Sequence, residues 1–259
     1  MARIRKSIIL AGAAIFLAIP ASALSFDASS GNLAANVTFS IVAISGDANL
    51  ANGNYLQVIL TNTSTADVLV PADVLTAVFF SYDGPALTPG SAYLTVGSLV
   101  LFDSAPPDGN VGGEWAYVKP LSGPNGSNAG ISSSGFGLFG DANFYNFNNL
   151  QDPDALDGLQ YGITSAGDLS GTGNAPVTGA NALIQNSVTF LLGGVGDTSL
   201  ANLHIWNVSF QYGTDLTEPN IPSDDPGQPV PEPATWTLMG IGLAAFTVRE
   251  IRRKAKNAS

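Results

Sequence analysis

Asn36-Val-Thr-Phe-Ser-Ile-Val-Ala-Ile44, followed by Tyr55-Leu-Gln-Val-Ile-Leu-Thr61, carries the pattern that sets the fold class. Both runs are rich in β-branched residues and alternate apolar with polar side chains, as a strand does when one face is buried. Asn52-Gly53 between them is a turn signal. Working outward, similar runs recur at 92–96, 98–102, 187–192 and 203–212, and Ala77-Val-Phe-Phe80 reads as a further strand. Asp83-Gly84-Pro85, Asp108-Gly109 and Asn125-Gly126 punctuate the intervals. One short helix can begin at Val70. No long segment of helical period occurs between residues 24 and 216, so the expected fold class is mainly β. The expected architecture is an antiparallel β-sandwich, jelly-roll or Ig-like.

Residues 119–182 differ from their surroundings. They are dense in Gly, Ser and Asn, with Phe136, Phe139, Phe144, Tyr145 and Phe147 interspersed. Long loops with short strands, closing one end of the sandwich, are the expectation; a second small domain is the alternative.

Charge is distributed unevenly along the 259 residues. Between residues 7 and 248 the single cation Lys119 stands against 19 of the 20 acids, a formal charge of −18. Such a domain repels nucleic acid and anionic headgroups, so no nucleic-acid partner is expected. The chain has no cysteine, which excludes disulfides, thiolate metal sites and cysteine nucleophiles.

Both ends read as transport signals. Arg3, Arg5 and Lys6 precede an apolar run from Ser7 to Ile19 and then Pro20-Ala-Ser-Ala23. That order makes residues 1–23 a secretory signal peptide, with Ala21 and Ala23 at the signal peptidase site and a mature chain from Leu24. At the other end, Pro recurs at 219, 222, 226, 229, 231 and 233. Residues 217–229 are therefore expected to be an extended linker, because proline opposes both helix and sheet ladders. Val230-Pro231-Glu232-Pro233 then leads into an apolar stretch, Ala234 to Val248, closed by Arg249, Arg252, Arg253 and Lys254. As a helix this stretch measures about 22 Å, a short transmembrane segment, with the basic tail holding its end in the cytoplasm.

Those residues resemble the PEP-CTERM sorting signal, whose processing protease is called exosortase. The resemblance spans residues 230–256 and implies cleavage near the Pro-Glu-Pro motif. It implies an exported protein, initially anchored in the inner membrane, destined for the cell surface or the extracellular matrix. The domain of residues 24–216 is then expected to be a structural or interaction protein and not an enzyme. A polysaccharide-binding module of the envelope or biofilm matrix is the alternative, and an exported hydrolase a more distant one.

Within the domain, candidate chemistry is sparse. His204 is the only histidine, and no Gly-x-Ser-x-Gly occurs to supply a nucleophile elbow. Gly135-Phe-Gly-Leu-Phe-Gly140 matches a dinucleotide fingerprint literally but neither follows a strand nor opens a helix. Asp152, Asp154 and Asp157 offer hard oxygen ligands within six residues, a candidate Ca²⁺ set that departs from the EF-hand spacing; Leu159–Ile163 after them reads as a strand. Glu114 would need an Asp partner for glycoside hydrolysis. Its neighbours Trp115 and Tyr117 are candidate glycan contacts, with packing on a β face as the alternative. No other cofactor is expected.

Overall fold

Every one of the apolar runs contributes a strand in the computed structural model, which describes residues 23–47, 49–139, 150, 156, 158–169, 179, 181–224, 228 and 229. Among these residues the strands are, in chain order, β1 (Ala23–Ser30), β2 (Leu33–Ile44), β3 (Gly53–Asn62), β4 (Leu75–Asp83), β5 (Thr88–Leu94), β6 (Leu99–Leu101) and β7 (Ala116–Val118). There follow β8 (Ala129–Ser132), β9 (Ile163–Thr164), β10 (Leu183–Gln185), β11 (Ser187–Gly193), β12 (His204–Tyr212), β13 (Asn220–Pro222) and β14 (Gln228–Pro229). The helix expected near Val70 is a single 3₁₀ turn, Pro71–Asp73.

The strands form two sheets. One runs β14-β1-β2-β3-β11-β5; the other runs β13-β12-β4-β9-β10-β6, with β8 beside β4 and β7 beyond β8. Pairing is antiparallel throughout except between β9 and β10. Alternation does what the sequence promised: Val37 and Phe39 on β2, Val58 and Leu60 on β3, and Phe190 on β11 turn inward. They meet Val78, Phe80 and Phe210 of the second sheet in one shared core. Phe39 and Phe80 make an edge-to-face contact between the sheets, with ring centroids 5.2 Å apart.

β4 is buried on both faces, with every residue from Leu75 to Tyr82 inside. Its outward residues Ala77 and Phe79 are covered by the segment after Lys119. Phe136 and Phe139 both lie 6.2 Å from Phe79, and Leu156 completes a second small cluster. Phe136 and Phe139 therefore cap the back of one sheet, and the described part of 119–182 adds a layer to it; Phe144, Tyr145 and Phe147 lie outside the described residues.

Two expectations change. Leu159–Gly162 form a turn, in which Gly162 donates to the Leu159 carbonyl and Tyr161 has φ 54°; only Ile163 and Thr164 are strand. The extended linker of 217–229 contributes two strands. Proline is tolerated there because β13 and β14 are edge strands with one side free of ladder bonds. Among the described residues no helix is long and apolar enough to cross a membrane; the expected helix at 234–248 lies outside them.

Candidate sorting site

The segment after β12 is tied to the domain by a series of hydrogen bonds as far as Ser223. Gln211, fully buried at the end of β12, donates from Nε2 to the carbonyls of Tyr212, Asp215 and Glu218. Its Oε1 accepts from Asn220 Nδ2 at 3.0 Å. Glu218 folds back to accept the backbone N–H groups of Thr214 and Asp215. Ile221 then pairs with Phe210 and is itself buried.

Past β13 the chain crosses from one sheet to the other. The Ser223 N–H donates to the Val208 carbonyl of β12 at 2.9 Å, and its Oγ donates to the Asp27 carbonyl of β1 at 2.7 Å. A shallow groove of ≈ 560 Å³ opens beside this crossing, bounded by Asp27, Ala34, Pro222 and Asp224. β14 follows and lies antiparallel to the very start of β1, with Leu24 opposite Pro229 and Ser25 opposite Gln228. Ala23, the last residue of the expected signal peptide, is already strand and pairs with Ser40. The start of β1 and the end of β14 thus lie at one corner of one sheet.

Of the residues singled out from sequence, Val230, Pro231, Glu232, Pro233, Arg249, Arg252, Arg253, Lys254, Ala21, Asp152, Asp154 and Asp157 lie outside the described residues. Among the described residues no cluster of three metal-ligating side chains occurs.

Trp115 and Tyr117 are inside, which corrects their reading as glycan contacts. The Trp115 ring is fully buried, 4.9 Å from Phe190, and Tyr117 is 3% exposed. The cause is local: Gly112–Glu114 form a 3₁₀ turn that delivers Trp115 into the core at the head of β7. The Tyr117 hydroxyl lies 3.0 Å from that of Tyr82. Burial, reinforced by that bond, pushes the Tyr117 phenol far above its ordinary pKa. Lys119 Nζ donates to the Tyr82 carbonyl at 2.8 Å and sits 3.2 Å from the centre of its ring, a cation–π contact.

His204 is exposed and stacks on Trp206 at 4.6 Å, a pairing the alternation of 203–212 left unread. No serine hydroxyl bonds to it among the described residues. Glu114, 9% exposed, lines a ≈ 370 Å³ groove together with Asp103 and Tyr161.

Residues 229–254 match the family model described as the PEP-CTERM protein-sorting motif. No curated protein and no solved structure matches the chain. The matched segment begins at Pro229, the residue that faces Leu24 across the sheet. Residues 229–254 therefore carry a PEP-CTERM protein-sorting motif, which indicates sorting by an exosortase system.

Proposed function

We propose that this is a structural or interaction protein of the cell surface or extracellular matrix, with a non-enzymatic β-sandwich domain of jelly-roll or Ig-like type. Signal peptidase removes residues 1–23, and the segment 234–248 holds the product in the inner membrane. An exosortase then cuts near Val230-Pro231-Glu232-Pro233. The observation that carries this reading is the sorting motif beginning where β14 is docked beside the first residues after the signal peptide. Two membrane segments leaving one corner suit a domain that folds as the loop between them. Polysaccharide binding keeps no support from Trp115 and Tyr117, because both are core.

The test is made in a host with an exosortase, using epitope-tagged full chain. Replacing Pro231, Glu232 and Pro233 together by alanine leaves a longer species in the membrane fraction, whereas the parent is shortened and leaves that fraction. Equal shortening of both proteins rules the reading out.

A further inference from the structure

Six large aliphatic side chains among the described residues are exposed by 40% or more: Leu69, Val70, Val96, Leu99, Leu169 and Leu216. All six lie at one end of the domain. Leu69 and Val70 sit in the connection from β3 to β4, and Leu216 follows β12, whose last residue Tyr212 pairs with Leu75 at the start of β4. Val96 follows β5, whose end is level with that of β3 through Val188, which pairs with both Leu94 and Leu60. β14 runs away from this end, since Gln228 pairs with Ser25 and Pro229 with Leu24.

Four of the six are linked by specific contacts. Leu99 pairs with Gln185, whose Nε2 donates to the Asp168 carbonyl at 2.7 Å. The next N–H, that of Leu169, donates to Asp67 Oδ1 at 3.1 Å. The N–H groups of Leu69 and Val70 both donate to Asp73 Oδ2, at 2.9 and 3.1 Å. Carboxylates therefore hold the backbone at Leu69, Val70 and Leu169, and strand pairing holds it at Leu99, in the conformation that turns these side chains to solvent. Loops free to collapse would fold such side chains inward, and a clustered aliphatic surface on a soluble domain marks a contact site.

We infer that Leu69, Val70, Leu99 and Leu169 form a docking surface for a separate protein that presents an aliphatic face rimmed by lysine or arginine. Charge selects this occupant. Asp67 and Asp73, both half-buried, stand among the aliphatic groups, and Lys119, the only cation between residues 7 and 248, is bound to Tyr82. A second copy of this chain brings the same carboxylates, and anionic lipid has the same sign. The surface is read from the folded domain and does not depend on the sorting reading.

The test uses the full chain in phosphatidylcholine nanodiscs with a photo-crosslinking residue in place of Val70. The probe is an amphipathic helical peptide of leucine and lysine, compared with its leucine–glutamate counterpart. Position 70 should label the lysine peptide, at least tenfold more than the glutamate peptide. Leu69→Asp with Leu169→Asp should reduce that labelling at least tenfold; if this pair lowers the melting temperature, Leu69→Gln with Leu169→Gln is read instead. Equal labelling by both peptides, or labelling unchanged in the folded double variant, overturns the inference. So does equal labelling from a crosslinker at Asp197, which lies at the opposite end, because that shows general attraction to an acidic domain. Crosslinks from position 70 to a second copy or to lipid assign the surface to those occupants and overturn it too.

Discussion

Leu24 and Pro229 are partners across the antiparallel pair of β1 and β14, so the residue at which the proposed mature chain starts and the first residue of the sorting motif lie side by side. One pair further in, Ser25 faces Gln228. Cα atoms of antiparallel partners are about 4.5–5.5 Å apart, within the span of a disulfide. The chain has no cysteine to interfere. Ser25→Cys with Gln228→Cys should therefore close a disulfide in the exported protein, seen as a mobility shift that reductant abolishes. Free thiols after export, with each single variant behaving alike, would show that β14 does not dock.

Trp115 is a stability residue. Removing a buried aromatic side chain costs about 3–5 kcal/mol, so Trp115→Ala should lower the denaturation midpoint sharply. Its Nε1 is buried without a hydrogen-bond partner. Trp115→Phe removes that donor along with some volume, and should cost less than about 1.5 kcal/mol. Equal losses in the two variants, measured by urea unfolding, would contradict the packing described.

Gln211 holds the approach to the sorting segment. Its amide serves three carbonyls and accepts from Asn220. Gln211→Leu keeps the volume but leaves buried carbonyls unmet, at a cost of about 1–3 kcal/mol. Hydrogen exchange should accelerate at Tyr212, whose N–H bonds to Pro219, and at Ser223, with little change at Val58 in the opposite sheet. Uniform acceleration across both sheets would be the wrong result.

Alkaline pH should unfold the domain. Burial raises the pKa of both Tyr117 and Tyr212 above their ordinary value of 10.0. The folded chain then retains protons that the unfolded chain releases above that pH, so the contribution is complete below about pH 10 and is lost as pH rises beyond it. Tyr117→Phe and Tyr212→Phe should each flatten the decline in melting temperature above pH 10. A decline as steep as the parent's in both variants would place its origin elsewhere.

Alternation was enough to reveal the middle of the six-stranded sheet, because β2 and β3 have one buried and one half-exposed face. It was a poorer guide to β4, whose continuous burial comes from loop residues far along the chain, with Phe136 and Phe139 closing over Phe79. The same long-range packing hid the placement of Trp115, since nothing adjacent to it in sequence announces Phe190 as its partner. Proline misled in a different way. Its missing N–H argues against an interior strand, yet Pro222 and Pro229 occupy sheet edges, and whether a strand is an edge is settled by topology. The sorting motif was legible because a short, ordered string of residue types defines it without reference to tertiary structure.

The neighbouring starts and finishes of the domain make its chain nearly a closed ring. A circular permutant that joins residue 229 to residue 24 through a short glycine–serine bridge and reopens at the exposed Gly196-Asp197 turn retains the fourteen strands found among the described residues. By the same geometry the domain can be spliced into a surface loop of an unrelated host protein, entering and leaving at adjacent points, with little strain on either partner.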